Sequence, residues 1–211
     1  VVGPIYFGRT VWHRQRGMPG FGGWFGDRKL SGGGPLIDIG VHWFDLCLHM
    51  SNLWNPTRVS AMTYAKFGPR MQGYRYVSMW AGPPNFKGKF DVEDYATGLV
   101  RFGRKATLSF EISWAANSEG GGFVELLGDK GGVRLLDGKP LTFLTERDSR
   151  VVNVVPLTAQ EGNRFHAEID AFIAACRGEQ PPAATAEEGR TVMRLMDAVY
   201  ASAKSGREVA I

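Results

Sequence analysis

The sequence predicts an α+β domain: a large, mostly antiparallel, open-faced sheet with helices grouped on one face. Three observations carry this expectation. Between residues 93 and 155 the pattern is a run of strands, clearest at 106–114. There Leu108, Phe110, Ile112 and Trp114 alternate with Thr107, Ser109, Glu111 and Ser113. Turn signals at hairpin spacing separate the strands: Phe102-Gly103-Arg104-Lys105, Gly120-Gly121-Gly122, Gly128 to Gly132 and Asp137-Gly138. Helical periodicity is confined to other stretches, so helices and hairpins are segregated rather than alternating.

Along the chain, residues 4–12 read as a strand rich in β-branched and aromatic types. Residues 13–34 form a long glycine-rich loop holding Trp24, Phe25 and Gly32-Gly33-Gly34, and loops of this length commonly form binding surfaces. Pro35 suits the first turn of a helix over 35–50. A strand follows at 57–67, then an irregular stretch, 68–91, with Tyr74, Tyr76, Trp80 and Phe86. The end is helical. Residues 160–177 place Phe165, Ile169, Phe172 and Ile173 at helical spacing, and 184–205 do the same with Val192, Leu195, Met196 and Val199. Gly178 and Gly206 mark the two helix stops. One sheet face is then covered by helices, and the Thr/Ser-rich face is open or meets a partner.

Composition narrows the function classes. Of the 211 residues, 44% are hydrophobic and 22% charged, which suits one sizeable packed domain over 1–211. Twenty-five basic against 21 acidic residues leave a net charge of +4, scattered along the chain, so no nucleic-acid partner is expected. Apolar runs are too short for a membrane span, the start lacks the features of a signal peptide, and a cytoplasmic location is the expectation. The absence of an initiator Met suggests a fragment. Cys47 and Cys176 both fall in apolar helical segments and are expected as buried free thiols, a disulfide between them being the alternative.

The chemistry concentrates in Gly32-Gly33-Gly34-Pro35-Leu36-Ile37-Asp38-Ile39-Gly40-Val41-His42-Trp43-Phe44-Asp45, continuing to His49. Asp38, His42, Asp45 and His49 are the polar exceptions on an apolar helix, and their offsets of 4, 7 and 11 put them on one face. A carboxylate one turn from a histidine can orient the ring and favour its protonated form, as in a general acid/base pair. Spacing alone leaves three readings open: a structural Asp–His network, an acid/base pair, or a metal-dependent hydrolase or isomerase site. His-x6-His with Asp is not a standard ligand spacing. The tri-glycine run ends in Gly-Pro and follows no parallel strand, so it reads as a tight turn rather than a phosphate loop, and no dinucleotide fingerprint occurs in the chain.

These residues resemble the Gly-Gly-Gly-x-x-x-Asp-x-Gly-x-His-x-x-Asp segment of the glucose–fructose oxidoreductase, inositol dehydrogenase and rhizopine-catabolism (GFO/IDH/MocA) family. Val92-Glu93-Asp94-Tyr95-Ala96, Phe110 to Asn117, Leu126 to Gly132 and Asp197 to Gly206 are similar to later family segments, in order along nearly the whole chain. The resemblance implies the C-terminal, substrate-binding and oligomerising half of a two-domain enzyme. Its N-terminal Rossmann domain, which binds NAD or NADP, and a Glu-Lys-Pro segment with a catalytic lysine are absent from these residues. It further implies His42 as the acid/base at the substrate hydroxyl or carbonyl, and Asp38 as substrate ligand or partner of His42. No metal is then needed. Trp12, Arg14, Trp24 and Asp45, with His49, are lesser candidates for substrate contact, and for the three loop residues Trp12, Arg14 and Trp24 ordinary packing or solvation is the favoured alternative. A sugar or polyol substrate and a dimer or tetramer through the sheet face are the implied partners. The remaining alternative is a non-catalytic dimerisation or carbohydrate-binding module.

Overall fold

The computed structural model describes residues 2–77, 79–156 and 162–211, with the Arg164 side chain left out. Nine strands form one sheet: β1 (Ile5–His13), β2 (Arg58–Tyr64), β3 (Tyr95–Phe102), β4 (Ala106–Ser113), β5 (Gly121–Gly128), β6 (Gly131–Leu136), β7 (Thr142–Arg147), β8 (Arg150–Val154) and β9 (Val209–Ala210). Their order is β8-β7-β6-β5-β1-β4-β3-β2-β9. Every pairing is antiparallel except β1 with β4. The predicted α+β class and the large mixed sheet are therefore found.

The helices are α1 (Arg28–Ser31), α2 (Val41–Ser51), α3 (Arg164–Cys176) and α4 (Ala186–Ser205). Alternation along β1 and β4 decides which face they cover. Gly8, Thr10 and Trp12 stand beside Leu108, Phe110 and Ile112 on one face, and α2 lies against it. Phe44 meets the Phe110 ring at 4.8 Å, and Cys47 Sγ reaches the space left by Gly8. Helix α4 opens with a capping box, Thr185 with Glu188, and ends at Gly206 in the left-handed conformation. Its Val192, Leu195, Met196 and Val199 are buried, and Ser202 Oγ accepts from the Ala61 amide of β2.

Three expectations need correction. The single helix over 35–50 is a wide π turn at Leu36–Gly40 followed by α2. Cys176 is exposed while Cys47 is buried, and both are free. Helix α3 exposes Ile169, Phe172 and Ile173 instead of packing them on the sheet. The first two residues of the predicted 160–177 helix lie outside the described residues.

The other face carries Thr107, Ser109, Glu111 and Ser113 of β4 beside Arg9, Val11 and His13 of β1. Charges are partnered within it. Glu111 takes Arg9 at 3.4 Å, the Tyr95 hydroxyl at 3.0 Å and lies 3.4 Å from His13 Nε2, while Ser118 Oγ sits 3.1 Å from His13 Nδ1. Burial holds the His13 imidazole below its ordinary value of 6.5; Glu111 opposes this and Arg9 adds to it. Between the lowered folded value and 6.5 the unfolded chain binds more protons at this site. The His13 contribution to stability is therefore present above 6.5 and lost on acidification. Thermal melts from pH 7.5 down to pH 5 should show a smaller fall in Tm for His13→Gln than for the parent protein; equal falls would remove His13 from the account.

Candidate active site

Two consecutive carboxylates at the head of β3 organise the site. Glu93 is 2% exposed. Its Oε1 accepts from the Gly34 amide (2.9 Å), the Leu36 amide (3.3 Å) and the Tyr200 hydroxyl of α4 (2.8 Å), and Oε2 faces Arg28 at 3.4 Å. These are amides that a helix start leaves without intrahelical partners. Burial pushes the Glu93 carboxyl up, while its own amide, the Tyr200 hydroxyl, the Leu36 amide and Arg28 pull it down. Asp94, fully buried, accepts from the Phe67 and Gly68 amides at 2.6 and 2.9 Å. One residue thus fixes the entry to the π turn and the next fixes the start of the 68–91 segment.

The tri-glycine turn follows from this packing. Gly32 ends α1 with φ of 83°, a left-handed conformation that favours glycine. A Cβ on Gly33 would stand 1.9 Å from the Tyr200 hydroxyl, and one on Gly34 would stand 2.0 Å from the Glu93 carbonyl oxygen. The two glycines are small so that protein can approach them. That packing fills the space beside the turn with protein.

The polar stripe divides three ways. Asp38, half-buried in the π turn, accepts a 2.8 Å hydrogen bond on Oδ2 from Trp114 Nε1 at the end of β4. The Arg14 guanidinium lies within its electrostatic reach: burial lowers the Arg14 pKa and the Asp38 charge raises it. Arg14 also donates to the Gly17 carbonyl at 3.2 Å. His42 and Asp45 are exposed on the outer side of α2. His49 is drawn to the start of α4. There Glu188 is held below its ordinary range chiefly by the Thr185 amide and hydroxyl, with a smaller part from His49. Among the described residues, no group of three or more His, Cys, Asp or Glu is gathered closely enough to hold a metal ion.

The lesser candidates separate as well. Trp12 packs beside Trp43 with ring centroids 5.0 Å apart, and its buried Nε1 has no partner among the described residues. Trp24 is 55% exposed and stacks on Phe25 at 3.8 Å. Phe25 in turn meets Trp114 at 6.3 Å and Trp80 at 5.1 Å. Sequence reading missed Glu93, Tyr200, Trp114 and Trp80 as site residues. The alternation that put Trp114 on the helix-covered face was the one signal available for it.

The site thus sits where an Asp/His-bearing helix leaves a tri-glycine turn on an open mixed sheet backed by helices. Residues 3–211 match the family described as "Oxidoreductase family, C-terminal alpha/beta domain". The chain belongs to this family, the GFO/IDH/MocA oxidoreductases. It is 29% identical over 211 residues to D-glucoside 3-dehydrogenase of Escherichia coli, covering 99% of this chain and 57% of that protein. It is 28% identical over 204 residues to 1,5-anhydro-D-fructose reductase of Ensifer adhaerens, covering 95% and 54%. The fold is shared with levoglucosan dehydrogenase in complex with NADH and levoglucosan, at a TM-score of 0.77 and 18% identity, covering 100% of this chain and 59% of that one. An oxidoreductase domain protein from Kribbella flavida gives 0.78 at 20% identity, with the same coverage. The chain therefore spans a little over half the length of these relatives.

Removing the Glu93 side chain strands three buried donors. Glu93→Ala should cost roughly 3–5 kcal/mol, since each unsatisfied buried group costs about 1–3 kcal/mol. Glu93→Gln keeps an acceptor oxygen for the same amides and should cost less than about half of that. Urea midpoints at constant m-value measure both.

Proposed function

We propose that this chain is the substrate-binding half of a nicotinamide-dependent dehydrogenase acting on a sugar or related polyol. One observation carries the reading: the Trp114 N–H occupies one Asp38 oxygen and orients the other, at the head of the helix that presents His42 four residues on. The family, and relatives named for glucosides, anhydrofructose and levoglucosan, support the substrate class. The structural neighbour in complex with NADH supports NAD or NADP as the redox partner. In this reading the cofactor is held mainly by a Rossmann domain in another part of the polypeptide.

The work of these residues is proton transfer and orientation. His42, exposed on α2, accepts the proton of the reacting hydroxyl through an imidazole nitrogen and returns it in the reverse direction. Asp38, fixed by Trp114 and facing Arg14, accepts from a neighbouring hydroxyl and sets the ring in place. Trp12, Arg14, Trp24 and Asp45 stay as proposed substrate contacts. Among the described residues no helix is long and apolar enough to cross a membrane.

In the complete gene product, His42→Ala should lower turnover by roughly 10²–10⁴-fold. Its nicotinamide affinity should stay nearly unchanged. Asp38→Asn should displace the pH–rate profile if the two residues act as the pair that their four-residue spacing proposes. Steady-state kinetics across pH with separate cofactor titrations test both; near-normal turnover with lowered stability in His42→Ala would mark a structural network instead.

In the same reading a second copy of the chain covers the open sheet face, which exposes Met62 and Tyr64 at the β2 side and carries half-buried Leu99 on β3 and Phe123 on β5. A two-fold pairing satisfies such a face symmetrically. Light scattering at tens of micromolar, an order-of-magnitude concentration above usual interface affinities, should give a dimer or tetramer, and a clean monomer counts against it.

A further inference from the structure

The two long loops of this domain are stitched together, yet they leave two indoles outside. Backbone hydrogen bonds join Val77 to Arg16 (2.9 Å), Ala81 to Pro19 (2.7 Å), Asn85 to Phe21 (2.9 Å) and Asp91 to Gly26 (2.9 Å). Gly22 and Gly88 cross so closely that a Cβ on Gly88 would stand 2.2 Å from the Gly22 Cα. Beneath the crossing, Phe21 is 2% exposed and packs against Tyr74, Phe86 and Phe90 at 5.0, 6.2 and 5.9 Å. These loops therefore have their own core and a fixed relative placement.

Trp24 and Trp80, one from each loop, remain 55% and 63% exposed. Both lean on Phe25, which is 7% exposed and itself abuts Trp114. Trp114 donates to Asp38. A continuous aromatic path thus runs from two presented indole faces to the carboxylate that holds the reacting ring in the reading above. Large aromatic faces held in place by packing but left in water are suited to an apolar surface of modest area, and the C–H face of a pyranose is such a surface.

We propose that Trp24 and Trp80 form an aromatic subsite that takes the group attached to the reacting sugar, so that the substrate is a glycoside or oligosaccharide rather than a free polyol. This rests on the sugar-oxidoreductase reading and deepens it. The ring next to the reacting one stacks on the indoles while Asp38 and His42 engage the reacting ring. Neither indole makes a bond-breaking contact; both set specificity.

The test uses the complete gene product with cellobiose and glucose as probes, by calorimetry and by nicotinamide reduction. The parent protein should bind and turn over cellobiose in preference to glucose. The ratio of the two kcat/KM values should fall about tenfold in Trp80→Ala and in Trp24→Ala, a drop of about 1.4 kcal/mol that matches one aromatic stacking contact. Trp80→Phe should recover part of it. A ratio unchanged in both alanine variants, or a parent protein without preference for cellobiose, overturns the subsite. If neither sugar is oxidised, the dehydrogenase reading fails. Calorimetry still decides the subsite in that case: a cellobiose preference lost in Trp80→Ala supports it, and one retained overturns it.

Discussion

The Glu93 carboxylate is the constraint on which the site depends. It is buried, the Gly34 and Leu36 amides, the Tyr200 hydroxyl and Arg28 converge on it, and it fixes where the π turn begins. A buried carboxylate without partners would be several kcal/mol too costly to keep. The partners need the carboxylate equally, because the Gly34 and Leu36 amides belong to a helix start with no side-chain cap. Position of Asp38, packing of Tyr200 and the small size of Gly33 and Gly34 are consequences of this one arrangement.

Asp94 extends the same logic to the other side of the chain. Just ahead of β3, the Glu93-Asp94 pair reaches the tri-glycine turn with one carboxylate and the Phe67-Gly68 turn with the other. The two loops that frame the aromatic cluster are therefore referred to a single point at the head of β3. A displacement of that strand end would move both loops and the π turn together, which makes the site one mechanical unit although its residues are scattered over the chain.

The fold class was legible because periodicity is a local property: alternation over 106–114 needs no knowledge of the partner strand, and it put Trp114 on the covered face. The Asp38/His42 spacing was equally plain. Other features depend on contacts between distant residues and could not be read. The tri-glycine run is explained by a tyrosine more than 160 positions later, a separation that no window on the sequence reveals. The wide turn at Leu36–Gly40 breaks the regular helical spacing and so splits a stripe that the spacing had united. Helix α3 has a helical pattern of Ile169, Phe172 and Ile173, which reports that one face is apolar without reporting what, if anything, the face meets. Cys176 shares that fate.

The parallel pairing of β1 with β4 also shapes how the chain acquires its fold. Phe7 stands beside Thr107 and Gly8 beside Leu126, so β1 occupies the middle of the sheet with both neighbours about a hundred residues downstream, a separation that slows the closing of such contacts. The hairpins β5-β6 and β7-β8 can assemble from nearby residues, but the sheet cannot become continuous until β1 is seated between β5 and β4. During synthesis β1 thus emerges well before β4 and β5 and is among the last strands of this sheet to be paired. Until then β4 and β5 present two bare inner edges, and seating β1 is the step that joins the two halves of the sheet.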